Sequence, residues 1–576
     1  MTRSREAMLA DLKANPKVDA VVIGGGINGI STFRELALQG VRVLVVDRGD
    51  FCGACSSALS RMIHGGLRYL ENGEIALVRE SLRERDALLR NAPHFVRPLP
   101  TTVPIHHVFS GMLNGVFNLL RLRNEPAERG ALAVKAGLTL YDLLVGNRRM
   151  LPRHVFRGRT ETEALWPDLP KAVRYTATYY DAWISHPERL GIELLQDGLG
   201  ANTDALALNH VAAAGRAGQC VVLRDAVSGD EFTVETDLII NATGAWLDKT
   251  NAAMAGTANK PAQMVGGTKG SHLILDHPEL MRALNGHMIY FENVDGRVCI
   301  VFPYLGRVLL GSTDIRVESP GDVRCEDHEV DYILKSLSSV FPGIAVRPEQ
   351  IVYRYSGVRP LLHSEASFTG SISRDHLIEE IPGSPPTLCL VGGKWTTFRA
   401  FGAQTADRAL TLLGKTRRLD TIERRIGGGA DYPANEAGVG ALIDTLIGQF
   451  AVTPVRARHA IDHYGSSAAS MLAFCANATD AAIDGTGYTA MELRYLVRHE
   501  FALTLADLLQ RRTSLAITGA LSSQAIAQAA VVLADELGWA DDECARQEDE
   551  FRALLAHDHG LQPDQLIARD QNTGSP

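Results

Sequence analysis

The stretch that decides the fold reads VDAVVIGGGINGI over residues 18–30, and VRVLVVD follows at residues 41–47. Each stretch contains a short apolar run rich in β-branched residues, which is typical of a buried parallel strand. Between the two runs, a helical pattern begins at Ile27 and stops at Gly40. A strand, a helix and a second strand within about 30 residues indicate a βαβ unit.

Three glycines stand between the first strand and the helix. Gly24, Gly26 and Gly29 have the spacing GxGxxG, and Asp47 ends the second strand. Glycines at this spacing let a turn of backbone approach a pyrophosphate at the helix N-terminus, and the acid accepts hydrogen bonds from a ribose. The motif therefore predicts a dinucleotide site, and by itself it fits NAD or FAD.

Two later segments repeat the strand-glycine pattern and favour FAD. DLIINATG occupies residues 237–244, and TLCLVGG occupies residues 387–393 ahead of a helix that starts near Thr396. FAD is long enough to need contacts from several such segments. The positive end of the helix near Thr396 would face the flavin and stabilise negative charge on the reduced ring.

The order of these patterns predicts an α/β fold with a Rossmann-like FAD-binding domain, an inserted antiparallel-sheet substrate domain and a C-terminal all-helical domain. The inserted sheet is indicated by a hairpin with strands at residues 298–304 and 307–314. The FAD-binding domain is expected to be discontinuous, over residues 16–95, 190–260 and 385–420. The remaining ranges are residues 96–189 with 261–384 for the substrate domain, 430–560 for the helical domain, and 1–15 and 565–576 for flexible tails.

Composition and charge exclude several classes of protein. The 576 residues are 45% hydrophobic and 22% charged, which is ordinary for a globular protein and excludes collagen, a coiled coil and a mostly disordered chain. A net charge of -9 does not indicate a nucleic-acid binder. No apolar run reaches the roughly 18–20 residues of a membrane span, and the N-terminal segment lacks the apolar core of a signal peptide.

The eight cysteines are too sparse for a disulfide scaffold and indicate a reducing compartment. Cys52 and Cys55 form a CxxC, but a metal or thioredoxin-like interpretation needs a second ligand pair or its own fold context. We therefore interpret this CxxC as incidental and predict no metal site.

Four cationic residues are candidates for an anion site. Arg68, Arg359, Arg374 and Lys394 each stand in a short motif beside a glycine, a turn or a tyrosine. A phosphate monoester needs several fixed cationic donors, and arginine supplies planar bidentate ones. Taken alone, however, each arginine is more often a surface or ion-pair residue.

The chain resembles the FAD-dependent glycerol-3-phosphate dehydrogenases and oxidases. The segments that carry the resemblance run in that family's order from about residue 18 to 400 and include VIGGGINGI, MIHGGLRYLENGE, HPERL, NATGAW, KGSH, GSTD, YSGVRPLL, SRDH and GGKWTTFR. The helical stretch from about 456 to 513 resembles the family's C-terminal domain. The chain departs from the family at Cys55, where a threonine is common, and at Ala245, where a proline is common.

The resemblance implies oxidation of sn-glycerol 3-phosphate to dihydroxyacetone phosphate, by hydride transfer to flavin N5, with a membrane quinone taking the electrons. One alternative is a longer polyol phosphate such as erythritol 4-phosphate, and another is a flavin-binding subunit without catalysis. The implied substrate-binding residues are Arg68, Tyr69, His272, Arg359, Arg374 and Lys394. The implied cofactor-binding residues are Gly24, Gly26, Asn28, Gly29, Asp47, Ser56, Ser57, His64, Gly65, Gly66, Val211, Gly244, Trp246, Asp314, Gly393, Lys394, Thr396 and Thr397.

Oxidation of an alcohol also needs a base for the hydroxyl proton, and histidine has a suitable pKa. His64 precedes two glycines that would admit a flavin closely, so we favour His64 as the base and His272 as a substrate hydrogen bond. The two roles could be reversed. Arg359 could also lower the pKa of the alcohol by its charge alone, and it is the third catalytic candidate.

A possible membrane-binding segment reads FSGMLNGVFNLLRLR over residues 109–123. Its apolar residues fall on one helical face, and two arginines follow without an intervening acid, a combination suited to an interfacial helix. The alternative is an amphipathic helix packed on its own domain. With a lipid-dissolved quinone as acceptor, we expect a cytoplasmic protein held peripherally on the inner face of the cell membrane; a homodimer is also possible.

Overall fold

The computed structural model describes residues 3–67, 69, 73–106, 131–145, 150–255, 263–293, 295–321, 323–363 and 375–571. Within these residues the chain forms two sheets with helices around them and a helical C-terminal region. The predicted α/β class with a C-terminal helical domain is confirmed.

The strands, in chain order, are β1 (Lys17–Ile23), β2 (Val43–Val46), β3 (Met62–Ile63), β4 (Val96–Ile105), β5 (Val155–Arg157), β6 (Tyr175–Ile184), β7 (Leu206–Leu208), β8 (Val211–Ala217), β9 (Cys220–Asp225), β10 (Glu231–Asn241), β11 (Val265–Leu275), β12 (Met288–Glu292), β13 (Val298–Tyr304), β14 (Arg307–Gly311), β15 (Ile315–Val317), β16 (Ile351–Leu362), β17 (His376–Ile381) and β18 (Thr387–Gly392).

The helices are α1 (Arg5–Ala14), α2 (Ile27–Leu38), α3 (Ile75–Asn91), α4 (Ala131–Val145), α5 (Arg159–Leu165), α6 (Pro187–Ala201), α7 (Leu247–Ala255), α8 (Pro278–Ala283), α9 (Asp327–Val340), α10 (Phe398–Leu412), α11 (Glu436–Phe450), α12 (Pro454–Tyr464), α13 (Ala468–Cys475), α14 (Ala490–His499), α15 (Ser523–Leu537), α16 (Asp541–His559) and α17 (Pro563–Gln571).

The first sheet has the strand order β17-β18-β10-β1-β2-β7. The pairs from β18 to β7 are parallel, as expected for buried strands linked by helical crossovers. The carboxyl ends of β1, β10 and β18, the three predicted strand-glycine units, therefore meet at one edge. Helices α2, α6 and α10 contribute apolar side chains to the same core as these strands.

Strand β17 corrects one predicted boundary. Residues 376–381 were assigned to the substrate domain, yet β17 pairs antiparallel with β18 and is the edge strand of the first sheet. The physical reason is that β17 and β18 form a hairpin. The connection between them is short, so the two strands lie side by side and share backbone hydrogen bonds.

The second sheet has the order β15-β11-β14-β13-β12-β4-β6-β3, with β16 beside β11 and β5 beside β6. The predicted hairpin is present as β13 and β14, although β14 ends at Gly311. The sheet is antiparallel as predicted, except that β4 and β12 run parallel. One predicted boundary is corrected here, because strand β3, assigned to the FAD-binding domain, pairs with β6 and joins the two domains.

The predicted flexible tails are also corrected. Residues 5–14 form α1, whose Arg5 side chain is buried and pairs with Asp225 at 2.7 Å. At the other end, α17 covers most of the second tail, and its Leu566 is fully buried. The described parts of both segments are held by contacts with residues far along the chain, which a local polarity pattern does not reveal.

The C-terminal helices pack on the second sheet and share a core with it. Phe302 of β13 and Tyr353 of β16 belong to the same apolar cluster as Leu496 of α14. Among the described residues, no single helix has the length and hydropathy to cross a bilayer. One pair, Glu436–Phe450 with Pro454–Cys475, meets both criteria together but is bent by 117°.

Candidate active site

The glycine turn after β1 is shaped by close backbone contacts. Gly24 has φ +106°, and a Cβ there would lie 2.6 Å from the carbonyl oxygen of Ala242 at the end of β10. A Cβ on Gly29, in the first turn of α2, would lie 1.9 Å from the carbonyl oxygen of Gly24. Both glycines therefore allow the N-terminus of α2 to approach the strand ends, as a pyrophosphate site requires.

Asp47 holds this turn from the neighbouring strand. Its carboxylate accepts hydrogen bonds from the backbone amides of Gly25 at 2.7 Å and Gly49 at 2.9 Å. Burial raises the pKa of Asp47, and the two amide donors oppose that rise. A carboxylate has about four lone-pair positions, so these two bonds leave capacity for a ribose hydroxyl, the predicted role.

The third strand-glycine unit, at the end of β18, contacts the first unit through Asn28 of α2. Gly393 has φ +90°, and the side-chain Nδ2 of Asn28 donates to the Gly392 carbonyl at 3.3 Å. Two buried atoms here lack a hydrogen-bond partner among the described residues, namely Asn28 Oδ1 and Thr397 Oγ1. Because buried polar atoms are normally paired, these atoms and the Gly24 turn fit a bound dinucleotide such as FAD.

Helix α10 begins at Phe398 with Thr397 as its N-cap, close to the predicted start near Thr396. The Thr396 hydroxyl accepts a hydrogen bond from the His64 amide at 3.2 Å. The Trp395 ring nitrogen donates to the Ser56 carbonyl at 3.1 Å. The segment before α10 is thereby tied to the turn that carries Ser56 and to the loop that carries His64.

Three further cofactor candidates make contacts within the neighbouring turns. The Val211 amide donates to the Asp47 carbonyl at 2.7 Å. Trp246 closes the short 3₁₀ turn Gly244–Trp246, and the Arg48 guanidinium lies 4.6 Å from its ring centre. Ser57 donates to the Ala54 carbonyl within its own turn. The individual roles of these residues stay predictions.

A cavity of about 340 Å³ lies between the two sheets, beside the loop of residues 392–396. Four of the predicted catalytic or substrate-binding residues line it together, namely His64, Tyr69, Arg359 and Lys394. Arg68 and Arg374, the other two cationic candidates, lie outside the described residues. The motifs that carry these residues thus line one cavity, although His64 and Lys394 are more than three hundred positions apart in the sequence.

Lys394 is held over the ring of Tyr69. Its Nζ lies 4.3 Å from the ring centre and donates to the Ser81 hydroxyl on α3 at 2.9 Å. Gly66 has φ +81°, and a Cβ there would lie 2.2 Å from the Tyr69 ring. Glycine at this position therefore allows Tyr69 to face Lys394 on the cavity wall.

Arg359 on β16 supplies the second cation. Its guanidinium donates to Asp314 Oδ1 at 3.1 Å and to the Thr313 carbonyl at 3.4 Å. A Cβ on Gly270 of the neighbouring strand β11 would lie 2.0 Å from Arg359 Nη2, so this glycine leaves room for the guanidinium. Asp314, a predicted cofactor residue, also lines the cavity and orients Arg359.

The structure separates the two candidate bases. His64 lines the cavity, whereas His272 is 1% exposed and its Nε2 lies 2.8 Å from the Ser60 hydroxyl, which does line it. Burial, together with the charges of Arg359 and Arg61, lowers the pKa of His272 to about 3. A histidine with so low a pKa is a weak base near neutral pH, which supports the predicted assignment of His64.

Asp181 is a residue of this site that the sequence did not reveal. It lines the cavity, and its Oδ1 accepts from the Gly65 amide at 2.9 Å, the Arg85 guanidinium at 3.0 Å and the Tyr141 hydroxyl at 2.9 Å. It therefore fixes the loop after His64. An acid inside the β-pattern YTATYYDAWI was an available signal, because a charge in a buried strand needs a partner.

The CxxC stays an incidental feature in our interpretation. Cys52 is buried beside Gly191, and burial raises the pKa of its thiol well above the usual value. Cys55 lines the cavity, and both cysteines are free thiols.

Comparisons with known proteins show the family of the chain. Residues 19–408 match the family model of FAD-dependent oxidoreductases, and residues 419–544 match the C-terminal domain of alpha-glycerophosphate oxidase. A glycerol-3-phosphate dehydrogenase of Synechocystis is 32% identical over 94% of this chain and 97% of its own. D-erythritol 1-phosphate dehydrogenase of Brucella abortus is 30% identical over 86% of this chain and 94% of its own.

The fold matches a solved structure of similar extent. The glycerol-3-phosphate dehydrogenase of Bacillus halodurans, solved in complex with FAD, has a TM-score of 0.74 at 21% identity and covers 97% of this chain and 98% of its own. FAD is the cofactor that the glycine turn and the three strand ends accommodate. The chain belongs to the family of FAD-dependent oxidoreductases that includes the glycerol-3-phosphate dehydrogenases.

Proposed function

We propose that this chain oxidises sn-glycerol 3-phosphate to dihydroxyacetone phosphate and passes the electrons to a membrane quinone. The observation that carries the proposal is the shared cavity, which Arg359, Lys394 and His64 all line beside the loop of residues 392–396. Two fixed cations suit a phosphate monoester. The name of the Synechocystis relative supports the same substrate.

FAD, when bound, supplies the hydride acceptor. Lys394, fixed by Tyr69 and Ser81, is placed to bind the phosphate. Arg359 favours the alkoxide form of the substrate hydroxyl through its positive charge, and Asp314 keeps its guanidinium on the wall. In this proposal, His64 takes the hydroxyl proton at one of its ring nitrogens.

A longer polyol phosphate is the second candidate substrate. It is favoured by the Brucella abortus relative, whose name gives D-erythritol 1-phosphate as its substrate and whose identity is nearly as high. Membership of an oxidoreductase family argues against the third possibility, a flavin-binding subunit without catalysis.

The substrate is tested by anaerobic mixing of the FAD-loaded enzyme with each polyol phosphate. We expect glycerol 3-phosphate to bleach the flavin absorbance faster than erythritol 4-phosphate. Arg359→Ala should lower kcat/KM by at least about a hundredfold, roughly 2.7 kcal/mol, while the spectrum of bound FAD survives. Arg347→Ala is the matched control, because that side chain is 68% exposed.

Two results would contradict these assignments. Faster bleaching by erythritol 4-phosphate would transfer the function to the second candidate. An unchanged kcat/KM in Arg359→Ala would remove that residue from the substrate site.

We also propose that the protein works on the cytoplasmic face of the membrane through residues 109–123, which lie outside the described residues. The support is the sequence pattern of an apolar face followed by two arginines. Phe117→Asp with Leu120→Asp should release the protein into the supernatant of a membrane preparation and reduce quinone turnover. Activity with a soluble dye should be retained.

A matched control keeps this test specific. Asn114→Asp with Asn118→Asp adds the same charges to the polar face of the segment and should leave most of the protein on the membrane. Loss of FAD or unfolding in the Phe117 and Leu120 variant would instead assign the segment to the protein core.

A further inference from the structure

Ser60 stands between the cavity and a buried histidine. Its side chain is half-buried and lines the cavity, and its Oγ lies 2.8 Å from Nε2 of His272. The contact joins two segments that are 212 positions apart. Ser60 and His272 thus come into contact only in the folded chain. Of the two, Ser60 is the residue that a molecule bound in the cavity can contact.

The histidine ring is fixed in a narrow slot. It stacks on Tyr355, with ring centres 5.0 Å apart and an angle of 13° between the planes. On its other side, a Cβ on Gly311 would lie 2.4 Å from His272 Cδ2, so only glycine leaves room for the ring. The Tyr355 hydroxyl also donates to the Leu59 carbonyl at 2.9 Å, which fixes the backbone just before Ser60.

The direction of the hydrogen bond follows from the other ring nitrogen. His272 Nδ1 is buried and has no hydrogen-bond partner among the described residues. A buried N–H without a partner is rarer than an acceptor without one, so the proton belongs on Nε2. Nε2–H then donates to Ser60 Oγ, and the Ser60 hydroxyl proton is directed to the cavity. Since the pKa of His272 is lowered to about 3 by burial, the ring stays neutral in this role.

We propose that Ser60 is a substrate-contacting residue: its hydroxyl, held by His272, donates a hydrogen bond to a carbon-bound oxygen of the polyol. His272 is then a positioning residue that acts through Ser60. The inference rests on the proposed function, because it requires a polyol phosphate in the cavity. Phosphate recognition is left to Lys394, so Ser60 distinguishes a hydroxylated chain from a bare alkyl phosphate.

The test compares two ligands that share a phosphate but differ in oxygens on carbon. Dihydroxyacetone phosphate and propyl phosphate are titrated into the oxidised, FAD-loaded enzyme, and binding is measured by calorimetry and by the flavin absorbance. Ser60→Ala should lower the affinity for dihydroxyacetone phosphate by about tenfold. It should leave the affinity for propyl phosphate unchanged. Ser338→Ala, an exposed serine on α9, should change neither affinity.

A second comparison tests the role of His272. His272→Phe keeps an aromatic ring in the slot and should reproduce the loss seen in Ser60→Ala. The double variant, Ser60→Ala with His272→Phe, should bind dihydroxyacetone phosphate no more weakly than either single variant. Both changes remove the same hydrogen bond. The acidic limb of the kcat/KM profile should keep its position in His272→Phe, since the native ring does not titrate near neutral pH.

The outcomes separate the two proposals. Equal losses for both ligands in Ser60→Ala, or additive losses in the double variant, would overturn the inference and leave the proposed function intact. A shifted acidic limb in His272→Phe would make His272 the base and also overturn it. A wild-type enzyme that binds neither ligand would overturn the proposed function, and the inference with it.

Discussion

A Gly29→Ala variant is expected to be purified without FAD. The added Cβ would lie 1.9 Å from the Gly24 carbonyl oxygen and 3.1 Å from Ala242 Cβ, and backbone at that distance cannot move aside cheaply. The turn between β1 and α2 must then open, and the helix N-terminus leaves the position that a pyrophosphate needs. We expect FAD affinity to fall by more than about a hundredfold, roughly 2.7 kcal/mol.

The measurement is the absorbance of FAD released by heat from equal amounts of protein. Release by heat also tests that the cofactor is bound noncovalently. Gly49→Ala is the matched control, because its Cβ would meet only Asp47 Oδ1 at an ordinary 3.9 Å and its amide still donates to Asp47. Normal FAD content in Gly29→Ala would show that the turn is not the cofactor site.

Arg512→Ala is expected to lower the free energy of unfolding by about 3–5 kcal/mol, the range found when one partner of a buried ion pair is removed. Arg512 and Asp50 are both fully buried and form two hydrogen bonds of 2.7 Å. Burial by itself lowers the pKa of Arg512, but the charge and hydrogen bonds of Asp50, together with the charges of Asp507 and Glu500, outweigh burial and raise the pKa. Without Arg512, the Asp50 carboxylate keeps Arg511 and Asn209 but loses its bidentate partner.

This pair joins the C-terminal helical region to the segment that follows β2 and Asp47. In urea denaturation, the C-terminal region of the variant should therefore unfold at a lower urea concentration than that of the wild-type protein. Limited proteolysis detects this unfolding. Arg546→Ala is the matched control, since that side chain is 52% exposed and pairs only with neighbours on its own helix. A loss below about 1 kcal/mol in Arg512→Ala would contradict the energetic role of the pair.

The cofactor half of the site could be predicted from the sequence because its signals are local. Each of the three strand-glycine units carries its own pattern of apolar, β-branched residues closed by glycine, and parallel strands bring their carboxyl ends to one edge. The helix after Lys394 was placed within two residues of its observed start. On the substrate side, local motifs proposed His64, Arg359 and Lys394. Resemblance to a known family gave weight to the two cations and added Tyr69.

Other features could not be predicted, because they depend on residues that are distant in sequence. The edge position of β17, the docking of α1 through Arg5 and the buried Asp50–Arg512 pair are all decided by long-range contacts.

The different roles of His64 and His272 also could not be predicted from the sequence. Both histidines stand in glycine-containing motifs, and the sequence left their roles open. Only the tertiary structure places His64 on the cavity wall and His272 behind Ser60. The physical reason is that side-chain periodicity and backbone freedom are properties of a short segment, and they determined the strands, the helices and the glycine turns. Burial, the pKa of a histidine and the partner of a hydroxyl are properties of the packed chain.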